Sequence, residues 1–239
     1  PKVLEVTLHD GLDPVSGRQV GLHTGDPRQF QSYEELYAAF LKQIHYFVDM
    51  KVRVSNYIDR MFAKYAPATF LSLFIDDCIA KGKDYYNCGP RYNTTYIQCT
   101  GLGTITDSLS VLRKHVFEEK HFTMDALLKA MEDNFVGHEP MRQFILNRTP
   151  FFGNDDDYAD EIAVKVFDDL YEAIEGKPNT KGECFHLNML STTCHVYFGK
   201  IMGATPNGRL AGRAISDGTS PSHGADTHGP SAVIKSLGK

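Results

Sequence analysis

The chain has 239 residues, 42% of them hydrophobic and 23% charged, enough apolar material for one large domain or two small ones. Its net charge is -5 and no run of Lys and Arg forms a basic stripe, which argues against general nucleic-acid binding. No apolar stretch approaches the roughly 18 residues that span a bilayer. The five cysteines, Cys78, Cys88, Cys99, Cys184 and Cys194, contain no CxxC pair and fit neither a disulfide framework nor a structural zinc site.

These features point to a reducing cytoplasm, where the sequons at Asn93 and Asn147 stay silent. The opening Pro1-Lys2-Val3-Leu4-Glu5 reads neither as a signal peptide nor as a translation start, so the segment is expected to be internal.

In chain order, Val3 to Leu8 reads as a short apolar strand or a helix end, and Asp10 to Pro27 as loop. Ser32 and Glu35 form a capping box ahead of Leu36, Phe40, Ile44, Phe47 and Val48, which predicts a long amphipathic helix reaching Tyr65. Pro67 separates it from a second helix over Phe70 to Ala80, with Phe70, Leu71, Phe74, Ile75 and Ile79 as its core stripe and Gly82 as its cap. Tyr92 to Gly103 reads as a buried strand and Thr106 to Val116 as a helix.

Thr123 caps a helix carrying Leu127, Leu128, Met131 and Phe135. Asn154 opens another, with Asp155, Asp156 and Asp157 in its first turn, a stripe of Ile162, Val166, Leu170 and Ile174, and Gly176 at its end. His186 to Phe198 carries no acidic, Lys or Arg residue and predicts a strand buried on both faces. Ala204 to Gly229 is glycine-punctuated loop, and Ser231 to Lys239 restarts as helix or strand. Helices alternating with short buried strands argue for an α/β architecture. About three strands are too few to close a barrel, so the chain is expected to form part of something larger.

Four groupings could carry chemistry. Asn154 to Asp157 suggests calcium, but Ala159 and Lys165 stand where an EF-hand needs Gly and Glu, so we read a helix start. Gly101-Leu102-Gly103 lacks the third glycine of a dinucleotide loop, since Thr106 holds its place, and we read close backbone packing. Cys194 and His195, adjacent on a strand, would point to opposite faces and form no pair. His223, Asp226 and His228 match no standard metal spacing. No metal site is expected, and Cys99, Cys184 and Cys194 are read as structural.

Several fixed motifs then carry a resemblance. Gly203-Ala204-Thr205-Pro206-Asn207-Gly208-Arg209 is followed by Ser216-Asp217-Gly218-Thr219-Ser220-Pro221. Gly224-Ala225-Asp226 comes next, and then Gly229-Pro230-Ser231-Ala232-Val233-Ile234-Lys235-Ser236. Together with Gly153-Asn154-Asp155-Asp156-Asp157-Tyr158-Ala159-Asp160, this series resembles the late part of glycyl radical enzymes, of the pyruvate formate-lyase-like kind. Pro1 to Glu5 through Thr24-Gly25-Asp26-Pro27, Phe30 to Leu36, Arg91 to Thr94 with Tyr96-Ile97-Gln98, and Thr192 to Gly199 resemble the hydroxyproline dehydratase branch. Ser191 departs from it where proline is expected, which leaves room for a relative with another substrate.

The resemblance implies part of a ten-stranded barrel, with residues 1–239 supplying second-half-barrel strands and their helices as one internal segment of a single domain. In that family a radical on a backbone glycine passes to a cysteine, which abstracts hydrogen from the substrate, and a glutamate acts as base. The cysteine sits in a Gly-Cys-x-Glu motif and the glycine in an Arg-Val-x-Gly-Tyr motif. Neither occurs in this sequence, so no catalytic residue is expected in the chain and the chain alone should be inactive. Thr192 is implied as a substrate-facing residue on a barrel strand, where a hydroxyl can orient a polar substrate group.

The implied activity is dehydration of trans-4-hydroxy-L-proline. The alternatives within the family are lyases acting on choline, isethionate, a diol or pyruvate, and outside it a non-catalytic partner-binding chain. The resemblance implies no directly bound cofactor beyond the glycyl radical. That radical is installed by an activating enzyme using S-adenosylmethionine and an iron–sulfur cluster. The other partner is a small-molecule substrate, with room for a homodimer and no nucleic acid or membrane.

Overall fold

The computed structural model describes residues 1–239. Its elements are α1 (Lys2–Thr7), β1 (Leu12–Asp13), β2 (Arg18–Gln19), a 3-10 turn (Pro27–Gln29), α2 (Tyr33–Tyr65), α3 (Thr69–Ser72), α4 (Cys78–Lys81) and β3 (Thr95–Gln98). They continue with α5 (Leu102–Val111), a π turn (Leu112–Glu118), α6 (Met124–Glu132), α7 (Glu139–Arg148), α8 (Asp157–Ile174), β4 (Phe185–Asn188), α9 (Cys194–Lys200) and α10 (Pro230–Leu237). β1 and β2 pair antiparallel, and β3 and β4 pair parallel with Thr95 opposite Phe185 and Gln98 opposite Asn188. The architecture is mixed α/β, and its two small sheets do not close. No helix is long and apolar enough to cross a membrane.

The chain divides into two compact units. The first comprises Pro1–Ile44, Cys99–Asp169 and Met189–Lys239. Its long helix starts as the sequence requires: Ser32 Oγ accepts from Glu35 N at 3.2 Å. Glu35 Oε2 returns to Gln31 N at 2.8 Å, one residue upstream of a strict capping box. The Thr123 hydroxyl likewise accepts from Ala126 N to start α6. Leu36, Phe40, Leu109, Leu127, Ile145 and Phe152 are among its fully buried side chains. α5 is unusual in that all ten residues are buried, polar ones included. α7 left no periodic signal because Ile145 is its one buried residue.

Asn154 does not open α8. The helix begins at Asp157, with Asp156 Oδ1 accepting from Tyr158 N at 3.0 Å, while Asn154 latches the loop by donating to Ala225 O at 2.7 Å. The neighbouring carboxylates are answered by α10 and the residues after it. Lys235 Nζ lies 2.8 Å from Asp155, and Lys239 Nζ lies 2.9 Å from Asp160, whose Oδ2 accepts from Ser236 Oγ.

The second unit comprises His45–Gln98 and Leu170–Asn188. Val48, Val52, Ile97, Ile174 and Phe185 are buried in it. Lys177 Nζ meets Asp49 at 2.7 Å and Asn56 Nδ2 donates to Pro178 O at 3.1 Å, tying the turn after α8 to α2. The helix expected over Phe70 to Ala80 is two short helices instead, and its stripe faces outward, with Phe70 74% and Ile79 71% exposed. Asp77 breaks it with a φ of 74°, and its carboxylate pairs with Arg91 at 2.9 Å. Ser72 Oγ also accepts from Tyr85 N, folding the segment back on itself.

The strand expected over Tyr92 to Gly103 shortens to β3, and that over His186 to Phe198 to the end of β4. After β4 the side chain of Asp217 takes Thr192 N, and Thr192 O takes His195 Nδ1–H. The backbone therefore leaves the ladder and winds into α9.

Truncating Leu109, fully buried, to Ala should cost roughly 2–5 kcal/mol in chemical denaturation. Val136→Ala, at a side chain 77% exposed, should stay within about 0.5 kcal/mol.

Candidate functional site

The first unit brings two loops onto the N-terminal end of α5. Ser216 N donates to Thr104 Oγ1 at 2.8 Å, and Thr104 N donates back to Ser216 Oγ at 3.0 Å. Thr100 Oγ1 donates to Ser216 O, and Leu102 N donates to Gly218 O at 3.3 Å. These bonds answer first-turn N–H groups that the helix itself cannot. Gly103 permits the approach: a Cβ there would stand 2.5 Å from Ser220 O and 2.8 Å from Ser222 N. The close-packing reading of Gly101 to Gly103 is therefore what the structure holds.

The docked turn presents Asp217 to the loop before α9. Thr192 N donates to Asp217 Oδ1 at 3.0 Å. Thr192 Oγ1 lies 2.7 Å from Cys194 Sγ. His195 Nδ1 lies 2.7 Å from Thr192 O, and since a carbonyl only accepts, that nitrogen carries the proton. His195 and Cys194 thus each engage Thr192, on the first turn of a helix rather than on a strand. Thr192 itself stands in the loop, half-buried, which corrects its expected place on a barrel strand. Burial pushes the Cys99 thiol up to about 11, out of the range of a ready nucleophile.

Beside this lies a cavity of about 1090 Å³. Thr104, Asp107, Arg142, Arg209, Ser222 and His223 help to line it. His223 and His228 line it too, but the structure gathers no metal-ligand group from His223, Asp226 and His228, and His228 Nδ1 bonds to Asn154 O at 3.0 Å. Arg209 is spent on its own loop. It donates to the carbonyls of Gly203, Leu210 and Arg213, and burial lowers its guanidinium to about 10.

Asp107 was not singled out from the sequence. Its Oδ1 accepts from Phe152 N at 2.9 Å, Oδ2 has no hydrogen-bond partner, and burial raises the carboxyl to about 7. Its signal was there: one acid among Thr104, Thr106, Ser108 and Ser110, in a helix otherwise apolar.

The family model for pyruvate formate lyase-like proteins matches residues 1–199. The chain belongs to the pyruvate formate lyase-like family. It is 53% identical to the trans-4-hydroxy-L-proline dehydratase of Clostridioides difficile, over 100% of this chain and 30% of that protein. The crystal structure of that hydroxyproline dehydratase with its substrate bound superposes with a TM-score of 0.95 over 99% of this chain. Isethionate sulfite-lyase of Nitratidesulfovibrio vulgaris is 36% identical over 98% of this chain and 28% of its own length. A glycyl radical enzyme from Archaeoglobus fulgidus, 34% identical, superposes with a TM-score of 0.90 over 98% of this chain and 30% of its own. The chain thus spans about 30% of the length of these family members.

Asp107 sets a pH dependence. Its folded value of about 7 lies above the ordinary carboxyl value of about 3.9. The stability it allows is complete below about pH 4 and is lost as pH rises to about 7, on the order of 4 kcal/mol. Asp107→Asn, which keeps an acceptor for Phe152 N, should flatten that slope when denaturation midpoints are compared between pH 4 and 8.

Proposed function

We propose that the protein to which this chain belongs dehydrates trans-4-hydroxy-L-proline by glycyl radical chemistry. In this reading the chain supplies part of the substrate pocket through Thr192. The identity to the hydroxyproline dehydratase, 53% against 36% for the isethionate lyase, carries the proposal. Hydrogen abstraction would be supplied by the glycyl radical and its cysteine, whose motifs this sequence does not contain.

The chain's own residues bind and orient. With its backbone N and O engaged by Asp217 and His195, Thr192 has its hydroxyl held on a fixed loop. A site built to pair a substrate hydroxyl rejects analogues lacking it, because its own polar groups would be left unpaired. The segment would form part of one barrel domain in a cytoplasmic protein. Its partners would be an activating enzyme using S-adenosylmethionine and an iron–sulfur cluster, and a second copy in a homodimer. Ser191, beside Thr192, supports a second reading, a family member acting on another small substrate.

The natural-length protein, activated anaerobically and checked for its radical by electron paramagnetic resonance, should turn over trans-4-hydroxy-L-proline. Thr192→Val should lower kcat/KM roughly 10–100-fold, as expected for one lost hydrogen bond to a charged or polar group. Turnover of isethionate or a diol but not hydroxyproline would overturn the substrate. An unchanged kcat/KM in Thr192→Val would remove that residue from the pocket, and activity of residues 1–239 alone would overturn the division of labour.

A further inference from the structure

The π turn after α5 ends in a cluster that the proposed lyase chemistry does not use. His115 Nδ1, His121 Nδ1 and Glu119 Oε2 point at one another. The two imidazole nitrogens are 3.2 Å apart, His121 Nδ1 lies 3.2 Å from Glu119 Oε2, and His115 Nδ1 lies 3.6 Å from the same oxygen. The backbone arranges this. The wide turn is closed by Glu119 N donating to Lys114 O at 2.7 Å, and Lys120, at a φ of 52°, turns His121 back over it.

The proton inventory is informative. Thr149 Oγ1 donates to Ile145 O at 2.7 Å, because a carbonyl can only accept. The hydroxyl must therefore accept from His115 Nε2, 3.0 Å away, which places that ring's proton on Nε2. The His115 side chain is only 1% exposed, and burial disfavours a charged ring. Nδ1 of His115 thus presents a lone pair, and so does the Glu119 carboxylate. At most one N–H, from His121, lies between the two acceptors.

We propose that His115, Glu119 and His121 bind a divalent transition cation of the zinc class, with an open fourth position. Zinc bonds of about 2.0–2.1 Å in a tetrahedron place neighbouring ligand atoms about 3.3 Å apart, and the three edges measured above lie close to that value. Imidazole ligands favour zinc-like ions over magnesium or calcium. The outer contacts suit the role as well. Thr149 fixes the tautomer of the buried ligand, and Lys114 Nζ sits 3.9 Å from the other oxygen of Glu119. The Phe144 ring packs 5.2 Å and 4.9 Å from the two imidazoles. His121 and Glu119 are 43% and 44% exposed, so an ion can enter from solvent.

The test uses natural-length protein stripped with chelator, then titrated with Zn²⁺ by calorimetry and with Co²⁺ by visible absorption. His121→Ala and Glu119→Gln lie at the surface, so circular dichroism melts should show retained folding. Wild type should bind one more equivalent than either variant, and Thr149→Val should bind that equivalent roughly 10–100-fold more weakly. A zinc-edge anomalous peak should fall within bonding distance of His115 Nδ1. Equal metal counts in wild type and both variants, or an anomalous peak confined to the cysteines, would overturn the proposal.

Discussion

Helix α5 has no face left for solvent, so its polar groups depend on protein partners, and only Thr106 Oγ1 and Asp107 Oδ2 among its side-chain oxygens go without one. Ser108 bonds back to Thr104 O, and Ser110 reaches Pro150 O at 2.7 Å. Thr104 and Ser216 exchange two bonds, and Asp107 receives Phe152 N. An unmade bond at such depth costs about 1–3 kcal/mol, so these partners are not interchangeable. The helix therefore dictates where the segments around Pro150 and Ser216 run.

From that constraint the site follows in short steps. Ser216 is docked, so Asp217 beside it is placed, and Gly218 fits under Met189 O with a φ of 48°. Asp217 holds Thr192 N, and Thr192 in turn orients His195. Ile215, fully buried next to Ser216, adds an apolar anchor. The loops are positioned by hydrogen bonds to a buried helix end, which explains how so much glycine-rich chain stays ordered. The Gly203 to Arg209 turn works the same way, with Thr205 Oγ1 on Asn207 Oδ1 and Arg209 on three carbonyls.

The long helices were legible because burial on one face writes a 3.6-residue period. The caps at Ser32 and Thr123 were legible because side chains there do a job that few residue types can. The uncharged run from His186 to Phe198 misled, since periodicity alone cannot separate a buried strand from a buried helix. A hydrogen bond from Thr192 N to a distant aspartate decided the matter. The Phe70 to Ala80 stripe misled because the first helix stops at Ser72 and the left-handed Asp77 sets off a separate one from Cys78. Family membership was legible from loop motifs, and the structure shows their reason: Ser216, Gly218 and Arg209 hold the backbone itself. The cluster at His115 left no trace in the sequence pattern, because a π turn does not follow the period by which helices are recognised.

That turn has a further consequence for how this stretch tolerates change in length. A π turn holds one residue more than the α ladder needs. Deleting one of the residues that are not buried there, Arg113, Lys114, Phe117 or Glu118, would let the turn tighten into a regular helix. The wide closure from Glu119 N to Lys114 O would then be lost, and with it the backbone path that turns His121 back toward His115. Relatives carrying one residue fewer here can keep the fold while losing that arrangement, so insertions and deletions, more than substitutions, mark its presence or absence.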